Sequence, residues 1–204
     1  MPSQEGLTLW LTGLPGAGKT TLAHMIGEKL HAIGLPVEIL DGDVVRRGFS
    51  KELGFTREDR DENIRRIAFV SKMLVRVGTV AIVAAISPYA KARNDARSEI
   101  GNFVEVFVRC PLKICIQRDP KGLYAKAQQG KVLQLTGLTD PYEEPLTPDV
   151  IVDTDRETPQ ESLEKIFQCL STGNFIEFPS STTTSLKRSL APPGDNQGSA
   201  LSPT

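Results

Sequence analysis

The sequence predicts an α/β fold: a largely parallel five-stranded sheet flanked by helices, with a covering segment at one end. Three observations lead there. Short apolar, β-prone runs alternate with stretches whose apolar residues recur at helical spacing. Residues 79–86 are apolar almost throughout, as a central parallel strand covered on both faces must be. A glycine-rich octapeptide stands between the first strand-like run and the first helix-like one.

That octapeptide, Gly13 to Thr20, has the pattern G-x-x-x-x-G-K-[ST] of a phosphate-binding P-loop. Residues 7–12 before it read as a strand. Leu22, Ile26, Leu30 and Ile33 after it give one helix face. Strand, glycine turn and helix N-terminus make a cradle whose amides and dipole favour anionic phosphate. Gly13, Leu14, Pro15, Gly16, Ala17, Gly18, Lys19, Thr20 and Thr21 are therefore the expected nucleotide-binding residues. Lys19 is expected to reach the β- and γ-phosphates of ATP, and the Thr20 hydroxyl to ligate Mg²⁺.

The remaining elements follow in order. Residues 37–40 form strand two, ending in Asp41-Gly42-Asp43, with carboxylates at the end of a strand where α/β ligands gather. Residues 44–49 read as a short helix or turn, and 59–77 as a long helix stopped by Gly78. Strand three covers 79–86 and closes with Ser87-Pro88-Tyr89. A helix over 90–100 leads to strand four at 103–108, with Glu105 interrupting it. Pro111 opens a helix to about Arg118. Residues 119–148, rich in turn formers, read as a mobile substrate-covering lid with one short helix at 123–129. A short strand at 150–152 and a helix at 159–170 finish the domain, residues 1–173. From residue 174 to 204 Ser, Thr, Pro and Gly dominate and predict a disordered tail, with residues 175–178 as a segment able to dock on the body.

Bulk properties set limits. With 24 basic and 25 acidic residues the chain lacks the basic field of a nucleic-acid partner. Its start lacks signal-peptide character, and no apolar run has membrane-spanning length. Cys110, Cys115 and Cys169 show no metal spacing and no paired framework, which fits a reducing, cytoplasmic location. Cys115 and Cys169 read as small core residues, and Trp10 and Phe107, in strand patterns, as core aromatics.

Further stretches decide the acceptor. They are Leu-Asp-Gly-Asp-Val-Val-Arg (40–46), Leu-Gly-Phe-Thr (53–56), Asp-Arg-Asp-Glu-Asn-Ile-Arg-Arg (59–66) and Ile-Ser-Pro-Tyr (86–89). Arg-Asp-Pro-Lys-Gly-Leu-Tyr (118–124) and Thr-Gly-Leu-Thr-Asp-Pro-Tyr-Glu-Glu-Pro (136–145) complete the set. In this order the chain resembles the adenylylsulfate kinase family of P-loop kinases over residues 7–172. The resemblance implies ATP-dependent phosphorylation of the ribose 3′-hydroxyl of adenylylsulfate, and is compatible with a homodimer. It implies Asp43 as the carboxylate that accepts the hydroxyl proton. Arg46, Arg60 and Asn63 would hold the anionic acceptor and Phe55 would stack on its adenine. Ser87 matches a serine assigned in the family as a phosphorylated intermediate. Read from the residues, it lacks an adjacent base and serves better as a hydrogen-bonding group. Arg118 falls in the nucleotide-contact region, Lys121 would bring positive charge on closure, and Leu123 would touch the acceptor.

The chain departs from the family at Pro15, Val44, Ala90 and Leu135, where serine, asparagine, a basic residue and phenylalanine are usual. Leu135 removes an aromatic partner worth about 1–3 kcal/mol of stacking, which bears on acceptor affinity rather than identity. Other readings stand beside these. Asp41 and Asp43 also suit a tight turn, and the charges at 57–66 a solvated helix face. A kinase for another small alcohol, or a nucleotide-binding regulator without turnover, would share the P-loop.

Overall fold

The computed structural model describes residues 5–176; the expected disordered tail lies, from residue 177, outside the described residues. The strands are β1 (Leu7–Thr12), β2 (Val37–Asp41), β3 (Val80–Ala84), β4 (Phe103–Arg109) and β5 (Val150–Asp153). The helices are α1 (Lys19–Ala32), α2 (Gly42–Arg47), α3 (Arg57–Arg76), α4 (Ala90–Ile100), α5 (Leu112–Arg118), α6 (Leu123–Gln128) and α7 (Pro159–Thr172). All four strand pairings are parallel, in the order β2-β3-β1-β4-β5. The chain order reverses about β1, so the loop leaving its carboxyl end stands over the crevice where ligands of such sheets bind.

Two apolar layers hold the sheet. On one face α1 and α7 pack Leu22, Ile26, Leu30, Leu163, Ile166, Phe167 and Leu170 against Leu7, Leu9 and Leu11. On the other, α3 and α4 cover Trp10, Val83 and Phe103 with Ile64, Ile67, Ala68 and Ala96. Helix α7 starts on a capping box, Thr158 with Glu161, and carries Pro159 in its first turn. Phe175 and Ile176, placed by the sequence reading in the tail's docking segment, pack on the first layer.

Several sequence expectations are corrected. Strand three ends at Ala84 rather than 86: Leu11 of β1 and Asp41 of β2 are its last partners, and both pair with Ala84. Beyond it the chain bends away, and Ser87 adopts φ +41°. The first helix begins at Lys19 rather than 21, and the long helix at Arg57, capped by Thr56. Glu105 does not interrupt β4, which runs on to Arg109. Its carboxylate is buried but accepts from Arg93 Nε at 2.8 Å. Cys169 is only half-buried at the edge of the core, whereas Cys115 is fully inside.

The covering segment divides in two. Residues 119–134 lie over the cleft, while 135–145 form a strap fastened to the body. Glu143 N–H donates to the Pro88 carbonyl at 2.8 Å, and its carboxylate accepts the Ala90 amide at the start of α4. Tyr142 stacks on Phe107 and its hydroxyl lies 2.9 Å from that of Thr12. Arg93 joins strap and body: it pairs with Glu105 and donates to the carbonyls of Ser87 and Glu143, both at 2.7 Å. Breaking a buried ion pair strands the partner charge, which costs about 3–5 kcal/mol. Arg93→Ala is therefore expected to lower unfolding free energy in urea by about that amount; a loss under about 1 kcal/mol would show that Glu105 finds another partner or water.

Candidate active site

The cleft at the carboxyl edge of the sheet has a volume of about 760 Å³, within the range of small-ligand sites. Its floor is the phosphate loop. Gly13 is required there, since a Cβ would stand 2.4 Å from the Val108 carbonyl oxygen. Gly18, at φ +105°, turns the chain into α1. Lys19 is buried and its ammonium donates to the Gly13 and Leu14 carbonyls, each at 2.8 Å. On the outside, Tyr124 Oη donates to the Pro15 carbonyl at 3.0 Å and Thr154 Oγ1 to that of Ala17 at 2.8 Å. With those carbonyls engaged, and the Ala17 amide donating to the Leu14 carbonyl at 3.2 Å, the remaining loop amides are left for an anion. Burial away from water lowers the Lys19 pKa from 10.5 to about 8.

Facing the loop stand two carboxylates, Asp41 at the end of β2 and Asp43 in the first turn of α2. Asp41 caps α2 by accepting the amides of Asp43 and Val44, and also accepts the Thr20 hydroxyl at 2.8 Å. Burial opposes its ionisation, but the bonds from Thr20 and from the Asp43 amide prevail and hold its pKa below the usual carboxylate value. Asp41 is thus a member of the site, legible beforehand only through the Asp-Gly-Asp pattern at the strand end. Asp43 leads away from α2 into solvent and pairs with Lys121 of the covering segment.

Arg46, Phe55, Arg60, Asn63, Ser87, Arg118, Lys121, Leu123 and Leu135 all line the same cleft. Their states differ. Phe55 is half exposed, with the Arg46 guanidinium 4.8 Å from its ring centre. Arg60 is buried and committed within the protein: it bonds the Phe55 and Gln134 carbonyls, Thr136 and Asp140. It therefore ties α3 to the strap in addition to lining the cleft. Asn63 lines the cleft and is buried, with Oδ1 lacking a protein partner. Leu135 is buried and belongs to the main apolar layer. Arg118 Nη2 donates to the Thr154 carbonyl at 2.6 Å.

Ser87 is 2% exposed. Its hydroxyl accepts Trp10 Nε1–H and donates to Thr12 Oγ1, both at 3.0 Å. Both lone pair and proton are thus engaged in a buried chain that runs to Tyr142, with no carboxylate or imidazole among its partners. An oxygen so held ties β1, the turn after β3 and the strap together.

Oxygen donors suit magnesium. Among the described residues no group of three or more His, Cys, Asp or Glu stands ready to hold a metal ion. The Thr20 hydroxyl and Asp41 carboxylate fit an ion carried mainly by phosphate oxygens and water, as Mg²⁺ prefers. No helix among the described residues is long and apolar enough to cross a membrane.

Comparison with known proteins agrees with this geometry. A family model described as adenylylsulphate kinase matches residues 5–153. An adenylyl-sulfate kinase of Rippkaea orientalis is 52% identical over 176 residues, 86% of this chain and 97% of that protein. The Mycobacterium tuberculosis APS kinase in complex with AMPPNP and APS superposes with TM-score 0.78 at 40% identity, covering 82% of this chain and 98% of that one. A hexameric APS kinase from Thiobacillus denitrificans gives TM-score 0.67 at 35% identity, over 86% of this chain and 30% of that one.

The Lys19 ammonium sets a pH test. A triphosphate beside it raises its pKa again, so binding near pH 8 takes up about half a proton, and below about pH 7 almost none. Calorimetry of AMPPNP binding in buffers of different ionisation enthalpy should show this uptake and a Kd that weakens above pH 8. Uptake that does not change between pH 6.5 and 9 would contradict a dry, depressed lysine.

Proposed function

The chain belongs to the adenylylsulphate kinase family, and on that premise we propose that it transfers the γ-phosphoryl group of ATP to the ribose 3′-hydroxyl of adenylylsulfate, giving ADP and 3′-phosphoadenylylsulfate. The observation that carries the reading is the opposition of Lys19, with its P-loop amides, to Asp43 across one cleft.

The chemistry asks for positioning and charge neutralisation more than for covalent help. The P-loop amides and Lys19 hold the β- and γ-phosphates, the ammonium leaving two loop carbonyls for phosphate oxygens. Thr20, together with Asp41, would hold Mg²⁺, and that ion when bound would supply charge neutralisation at the phosphates. Asp43 accepts a hydrogen bond from the 3′-hydroxyl and takes its proton as the new O–P bond forms. For this Asp43 has to part from Lys121, whose ammonium is then available to the phosphates. Arg46 and Asn63 bind the acceptor's phosphate–sulfate end, and Arg60 keeps the strap in place beside them. Phe55 supplies one face for the acceptor adenine and Leu135 an aliphatic one, in place of a second ring. Arg118 and Thr154 lie by the donor nucleotide. The enzyme works in the cytoplasm, and a homodimer is the simplest assembly to test.

Ser87 is bypassed in this scheme because transfer is direct. Ser87→Ala is expected to keep kcat within about tenfold while costing about 1–3 kcal/mol of stability, since the Trp10 indole N–H loses its acceptor. A coupled assay with ATP and adenylylsulfate decides both points. Turnover at micromolar acceptor by wild type and Ser87→Ala supports the reading. Turnover only on another alcohol overturns the acceptor assignment, binding without turnover overturns the enzyme, and a labelled phosphoserine lost in Ser87→Ala overturns direct transfer.

A further inference from the structure

From the end of α5 into the first turn of α6 the chain makes a six-residue knuckle, 119–124, whose shape is fixed from within. Asp119 lies at φ +22° and Gly122 at φ +63°. Gly122 has no side chain to cap α6. The Asp119 carboxylate does so instead, accepting the amides of Tyr124 at 3.2 Å and Ala125 at 3.0 Å. A knuckle bound across its own base moves as one piece.

Three of its side chains leave in different directions. Lys121 pairs with Asp43 on the acceptor side. Leu123 faces the cleft. Tyr124 turns back into the protein, is 1% exposed, and donates its hydroxyl proton to the Pro15 carbonyl at 3.0 Å. Pro15 lies in the middle of the phosphate loop and has no N–H of its own to offer a phosphate. What it offers is a carbonyl that points out of the loop, and that carbonyl is grasped by the covering segment. The donor's cradle and the acceptor's carboxylate are thus attached to opposite ends of one rigid piece.

We propose that Tyr124 is a positioning residue which couples occupancy of the phosphate loop to the acceptor side of the cleft, through its hydroxyl and the Pro15 carbonyl. A triphosphate settling on the loop sets the Pro15–Gly16 backbone, Tyr124 carries that setting to the knuckle, and Lys121 and Leu123 move with it. By linkage the two ligands then tighten each other's binding. The inference rests on the reading of the acceptor as adenylylsulfate, and its test keeps the two apart.

The test is calorimetric titration of adenylylsulfate into the full-length protein, with and without saturating AMPPNP and Mg²⁺. Wild type, Tyr124→Phe and Asp119→Gly are compared, each first checked for a cooperative melting transition. Tyr124→Phe removes only the hydroxyl. Asp119→Gly leaves that hydroxyl in place, tolerates the positive φ, and unbraces the knuckle. In wild type AMPPNP should tighten acceptor binding on the order of tenfold, and in both variants by less than about threefold. A purely structural role for Tyr124 would alter melting and leave this ratio untouched. Equal ratios in all three proteins, or no coupling in wild type, overturn the proposal. Failure of wild type to bind or turn over adenylylsulfate is a different result and strikes the acceptor assignment instead.

Discussion

Keeping one ammonium dry and aimed is the condition on which the site depends. Lys19 sits almost out of solvent, where its charge is costly, and is reconciled to that place by two main-chain carbonyls of its own loop. The same bonds engage the Gly13 and Leu14 carbonyls until a phosphate draws the ammonium off. Tyr124 and Thr154 do likewise for Pro15 and Ala17, from two other parts of the chain. The glycine-rich loop is permissive by itself; Lys19 from within, and Tyr124 and Thr154 from outside, hold its carbonyls in place.

The opposite wall is built on a different economy. The Arg93–Glu105 pair lies between β4, α4 and the strap, and with Trp10, Ser87, Thr12 and Tyr142 it forms one buried polar assembly. Buried ion pairs add little net stability over a good apolar core, but they specify where a loop must lie. Here they hold residues 85–89, including the positive φ of Ser87, against the end of the sheet. Arg60 performs the matching task from α3, fastening Thr136 and Asp140. Two arginines with many donors thus fix the frame within which acceptor contacts are made.

Much of this was legible in the residues. The P-loop lay between a strand and a helix, and periodicity placed the buried faces of α1, α3 and α7. What stayed hidden was whatever depends on partners distant in sequence. The end of β3 is set by its last pairings, with Leu11 and Asp41, which no local pattern encodes. Glu105 looks like a flaw in a strand until Arg93, twelve residues earlier, is seen beside it. The Asp-Gly-Asp pattern announced two carboxylates but not their division of labour, with Asp41 turned to Thr20 and Asp43 to Lys121. Arg60 and Ser87 were placed correctly along the chain, yet their bonds reach segments more than seventy residues away.

The most direct trial of the account is a crystal structure with AMPPNP, Mg²⁺ and adenylylsulfate bound together. The account requires the γ-phosphate on the Lys19 ammonium, Asp43 released from Lys121, and the ribose 3′-oxygen at hydrogen-bond distance from the Asp43 carboxylate, about 2.6–3.2 Å, in line with the phosphorus. A closed ternary complex in which Lys121 still holds Asp43, or in which the 3′-oxygen points away from the γ-phosphorus, would contradict it.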